Sequence, residues 1–126
     1  MNAGQRLAEA LRAENAALAR LDLGAAAELS RGKRVAADAF AAAFDATHRS
    51  GCRAEGEERR QTEEITLRLK DLTTENRRLL ERAIDLQSRV IETIAGALRP
   101  PGPGTYGQHG RARAGEATPV SIASRA

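Results

Sequence analysis

The sequence predicts an all-α protein: an antiparallel hairpin of two long helices over residues 1–98, followed by a disordered tail over residues 99–126. Three observations carry that expectation. Residues 65–98 hold the longest unbroken helical pattern and contain no proline, and residues 3–49 hold a second long pattern of the same kind. Between the two lies the turn chemistry of Ser50, Gly51, Cys52 and Gly56. Thr73 and Thr74 are mild helix formers inside the long second pattern. A split there would turn the hairpin into a three-helix bundle, and one continuous helix over 57–98 is the expectation.

The first helix places Leu7, Leu11, Leu18, Leu21, Ala25, Leu29, Ala36, Phe40, Ala43 and Thr47 roughly on one side. Gly24 and Gly32 are its weak points, each costing about 1 kcal/mol relative to alanine. Alanine-rich flanks propagate helix well, so local softness is expected there rather than a break. The second helix opens on Glu57 and Glu58, which suit the positive end of the helix dipole. Stepping by four and three residues, Ile65, Leu69, Leu72, Asn76, Leu79, Ala83, Leu86 and Val90 form a heptad seam. A second stripe of Leu80, Ile84, Ile91, Ile94 and Leu98 runs beside it and widens the apolar face beyond the need of one neighbour. One antiparallel partner cannot cover both stripes. Gly96, Arg99, Pro100 and Pro101 end the element. Beyond it, Pro, Gly, Ser, Thr and Ala with scattered Arg cannot bury enough apolar surface to offset ordering entropy.

A chain of 126 residues with 41% hydrophobic residues supports one domain at most, with a thin core, because Phe40, Phe44 and Tyr106 are its only aromatics. The net charge of +3 belongs to the tail, where Arg99, Arg111, Arg113 and Arg125 face only Glu116; the helical part carries 16 basic and 16 acidic residues. That balance argues against a nucleic-acid-binding domain. Arg111 and Arg113 without aromatic stacking partners would give only weak, salt-sensitive contacts. The longest strictly apolar run, residues 39–44, is far below the roughly 18 residues that a membrane span requires. With one cysteine and nothing resembling a secretory signal, the cytoplasm is the expected location.

Candidate chemistry is sparse. His48 and Cys52 stand four residues apart, but a zinc site needs about four N/S ligands and no second pair exists. Cys52 lacks the base and orienting group that a catalytic thiol requires. Gly102, Gly104, Gly107 and Gly110 form a linker, since no strand precedes them and the phosphate-loop lysine is absent. No enzymatic activity, metal or cofactor is expected. Asn76 is more informative: it interrupts the seam between Leu72 and Leu79, where a polar residue costs stability and sets register or partner number. Asn15 sits similarly between Leu11 and Leu18, and both asparagines follow a glutamate in the form E-N-x-x-L.

The residues resemble the FlgN family, the flagellar type III export chaperones for hook-filament junction proteins. The resemblance rests on Glu14, Asn15, Ala16, Ala17 and Leu18, then Asp22, residues 25–27, Leu29 and Lys33. It continues through residues 75–84, Gln87, Val90 and Ile91 of the long helix and reaches Tyr106 and Gly107 after a short Pro/Gly linker. Gly24, Gly32 and the Arg-rich tail depart from it. The resemblance implies a small cytoplasmic helical chaperone that holds the terminal helices of hook-filament junction proteins, prevents premature assembly and delivers them to the flagellar export gate. On that reading Leu80, Ile84, Ile91, Ile94 and Leu98 contact the client. Tyr106, the one aromatic outside the helices, docks at the gate. No nucleic acid and no stable membrane insertion are expected, and the empty chaperone could pair as a homodimer. Alternative classes are a self-associating coiled-coil scaffold and a basic-tailed nucleic-acid accessory protein.

Overall fold

The computed structural model describes residues 1–100; the expected disordered tail beyond Pro100, with Tyr106, lies outside the described residues. The order of elements is α1 (Ala3–Ala19), α2 (Leu23–Ser50) and α3 (Gly56–Leu98). The chain divides into two compact units, Met1–Ser88 and a second that begins at Arg89. The all-α expectation holds, and α3 is one uninterrupted helix of 43 residues through Thr73 and Thr74.

The first helical pattern does not hold as one helix. It breaks at residues 20–22, upstream of both glycines, and this break supplies the third helix. Leu21 takes a left-handed φ of 60°. Its N–H donates to the Leu18 carbonyl at 3.0 Å and the Asp22 N–H donates to the Ala17 carbonyl at 2.9 Å, which is a Schellman termination with leucine where glycine is usual. Asp22 then caps α2, accepting from the Ala25 N–H at 3.1 Å. The turn resets the helical phase, so the stripe expected along residues 7–47 is discontinuous. Leu21 and Leu29 are 46% and 37% exposed, and Ala43 and Thr47 face solvent.

Leu21 is the strained point of this turn. A side chain in the left-handed region costs about 1–2 kcal/mol that glycine avoids. Leu21→Gly is therefore expected to raise stability by about 1 kcal/mol, read as a higher midpoint in urea unfolding. A lower midpoint would mean that the leucine side chain holds packing that outweighs its strain.

Local chemistry accounts for the other ends. Asn2 and Gln5 form a reciprocal capping box on α1, each side chain accepting from the other's backbone N–H at 2.9 Å. Gly51 closes α2 at φ 67°, where a glycine meets no steric cost. Glu57 in the first turn of α3 is bonded by Gln61 and Arg60, and these two partners hold its carboxyl below the ordinary glutamate range.

In the first unit α1 and α3 run parallel, with α2 antiparallel to both. The packing shows this directly. Leu7, Ala8, Leu11 and Leu69 form one buried cluster, flanked by Ala36, Ala37, Phe40, Ile65 and Leu72. Ala17, Leu18, Ala26, Leu79 and Ala83 form a second, flanked by Leu23, Ala25 and Leu80. Gly4 permits the close approach at one end, because a Cβ there would lie 3.1 Å from Ile65 Cγ1. The seam of α3 is thus the core face: Leu69, Asn76, Leu79 and Ala83 are buried, while Ile65, Leu72 and Leu86 are half-buried.

Candidate functional site

The second stripe of α3 faces solvent. Within the first unit, Leu80 is half-buried against the upper cluster and Ile84 is 62% exposed. Within the second, Ile91, Ile94 and Leu98 are 66%, 53% and 78% exposed, and Val90, expected on the core seam, is exposed as well, at 56%. Isolated exposed leucines are ordinary on any surface, but β-branched residues repeating at helical spacing are not. Ion pairs along the solvent side of α3 join neighbours three or four residues apart, such as Arg60 with Glu57 and Arg78 with Glu75. Such exposed pairs contribute little to stability and leave the apolar row unshielded.

Between the two apolar clusters lies a polar layer that draws on all three helices. Glu14 of α1 is 1% exposed. Its Oε2 accepts from Lys33 Nζ of α2 at 2.7 Å and from Asn76 Nδ2 of α3. Asn76 Nδ2 also donates to Asn15 Oδ1 at 2.7 Å, and its Oδ1 accepts from Lys33 Nζ at 3.1 Å. Asn15 Nδ2 donates to the Leu72 carbonyl at 3.1 Å, which ties α1 to the backbone of α3. Glu14 Oε1 is buried and has no hydrogen-bond partner among the described residues. Asn15 and Asn76, expected to set register, are therefore bonded to each other across α1 and α3.

Sequence reasoning named Glu14 and Lys33 only within the family pattern and gave neither a place in the core. Both E-N-x-x-L strings supply a glutamate, yet only the first glutamate points inward. Glu75 is half-buried and paired with Arg78 through two bonds of 2.8 Å, and Arg78 holds its carboxyl below the usual range. The available signal for Glu14 was its position three residues after Leu11 and four before Leu18, on the apolar face of α1.

Beside this layer opens a groove of about 470 Å³. Leu7 and Leu11 of α1 form its apolar floor, Lys33 and Arg34 line the α2 side, and Thr73 and Asn76 line the α3 side. His48 stacks on Phe44 with centroids 6.2 Å apart, and Cys52 is exposed in the turn. Among the described residues no group of three or more His, Cys, Asp or Glu side chains is placed to hold a metal, and no helix is long and apolar enough to cross a membrane. Comparison with protein-family models, curated proteins and solved structures gives no match to this chain.

Proposed function

We propose that this chain is a helix-docking chaperone, of the kind that holds hook-filament junction proteins in the cytoplasm for flagellar type III export. The observation that carries the reading is the exposed row of Ile91, Ile94 and Leu98 on a helix whose other apolar face is used by the core in the first unit. An amphipathic client helix lays its own apolar side on such a row, anchored every third or fourth residue. Covering the sticky terminal helix of a junction protein keeps it from assembling early, and an interface of one helix face is small enough to release it. In this reading Ile84 and Leu80 extend the contact, Tyr106 docks at the export gate, and the protein has no catalytic role. The residues of the FlgN-like pattern support the flagellar assignment; the exposed row supports the docking chemistry.

The test replaces Ile91 and Ile94 with serine and titrates peptides that span the terminal helices of hook-filament junction proteins. Burying an isoleucine side chain is worth about 1.5–3 kcal/mol, so the double variant is expected to bind at least tenfold more weakly. Its urea midpoint, read at low protein concentration, should stay near that of the parent, since both side chains are exposed in the folded chain. Absence of peptide binding by the parent protein would remove the flagellar reading. A parallel loss of stability and binding would assign the two isoleucines to folding instead.

A further inference from the structure

We infer that the groove of the first unit binds a small monoanionic amphiphile, a carboxylate on an unbranched alkyl chain, with its head at Lys33 and Arg34 and its chain along Leu7 and Leu11. The groove lies wholly within the first unit, and its volume of about 470 Å³ falls in the range of small-molecule sites. Apart from the two cations its wall residues are short, Ser30 and Ala37 on α2 and Thr73 on α3, so the walls leave the space between them open. Lys33 closes one end by reaching across to Asn76 Oδ1 at 3.1 Å.

The groove is apolar at one end and polar at the other. Leu7, Leu11 and Ala37 belong to the apolar cluster around Leu69. Lys33 stands at the level of Glu14, which its ammonium reaches at 2.7 Å. From Leu7 to that level is about 10 Å along α1, the length of a medium alkyl chain. Such a chain is slim enough to lie on the floor between the walls. A helix, about 10–12 Å across with its side chains, would rest on the rims instead, where Arg34 and Thr73 offer polar contact.

Charge selects the head. Among the described residues no acidic side chain lines the groove. Lys33 is matched by the buried Glu14 carboxylate, whereas Arg34 forms no ion pair among the described residues. One positive charge is therefore left over at the polar end, which a monoanion neutralises and a dianion overshoots. The Lys33 ammonium has three donors and directs bonds to Glu14 and Asn76, so one donor remains. That donor and the Arg34 guanidinium can hold a carboxylate by charge-assisted hydrogen bonds. The inference stands apart from the chaperone reading, because it uses no residue of the exposed α3 row.

The test titrates the whole, isotopically labelled chain with octanoate across the millimolar range and reads backbone amide shifts by NMR. Saturable shifts centred on Ser30, Lys33, Arg34, Ala37 and Thr73 are expected, with none from octylammonium, which has the same chain and the opposite charge. From butanoate to octanoate the affinity should rise by about fourfold per methylene, as the chain covers more of the floor. Arg34→Gln, at an exposed position, is expected to bind octanoate about tenfold more weakly with an unchanged urea midpoint. Thr73→Phe, which fills the groove from the α3 side, should abolish the shifts and serves as a second variant should Arg34→Gln perturb folding. Absence of saturable shifts would overturn the inference, as would equal binding of octylammonium, undiminished binding by Arg34→Gln, or shifts centred on Ile91 and Ile94.

Discussion

Lys33→Ala is expected to cost the fold about 3–5 kcal/mol, the magnitude for removing one partner of a buried ion pair. Glu14 is 1% exposed, and among the described residues Lys33 is the one cation within hydrogen-bond distance of it. Without the ammonium the carboxylate keeps Asn76 as a donor, but its charge stays in a site between two apolar clusters. A small helical domain has about 5–15 kcal/mol of stability in total, so this one change would bring it close to unfolding at ambient temperature. The measurement is urea unfolding followed by far-ultraviolet circular dichroism, with Glu14→Leu, Lys33→Met as the control. Removing both charges together replaces a desolvated pair with apolar groups of similar length and should recover most of the loss. An unchanged midpoint for Lys33→Ala would mean that water reaches Glu14 in solution and screens it.

Leu79→Ala is expected to lose about 2–5 kcal/mol. Leu79 is 3% exposed and is surrounded by Ala17, Ala26 and Ala83 as well as Leu18. Alanine neighbours have no torsion that could swing a side chain into the vacated space, so the cavity stays open and the cost lies toward the upper part of that range. For a domain of about 100 residues each kilocalorie shifts the melting temperature by about 4–8 °C, so thermal unfolding reads the effect easily. Ile91→Ala, an equal loss of apolar atoms at an exposed site, should shift stability by no more than about 0.5 kcal/mol. Similar losses for the two variants would mean that Ile91 is buried in the molecule in solution.

These two experiments bear on the polar layer and on the apolar cluster beside it, which divide the work of the core. The clusters supply attraction that is indifferent to a sliding of one helix along another. The layer is satisfied only when Glu14, Lys33, Asn15 and Asn76 stand at one level, so a slip by one turn would strand a charge in an apolar site. Asn15 and Asn76 were readable as polar interruptions of two apolar stripes. That they meet, and that Glu14 and Lys33 join them, required the three helices to be brought together.

Local sequence determined the helical class, the extent of α3 and the face of α3 that is buried, because a heptad of leucines repeated from Ile65 to Ala83 has one apolar side whatever it packs against. It also determined the turn at Gly51, where glycine alone accepts the left-handed backbone without strain. The break at residues 20–22 was decided by tertiary packing. No glycine marks it, and Leu21 takes its strained conformation because the reversal lets α2 fold back on α1 and bury Ala26 against Ala17 and Leu18. Propensity weighs each residue alone, whereas the burial that offsets the strain at Leu21 is shared among residues far apart in the chain. The same holds for the second stripe within the first unit: its apolar spacing was visible in the sequence, but only the packing of α1 and α2 on the other face decided that Ile84 remains in solvent.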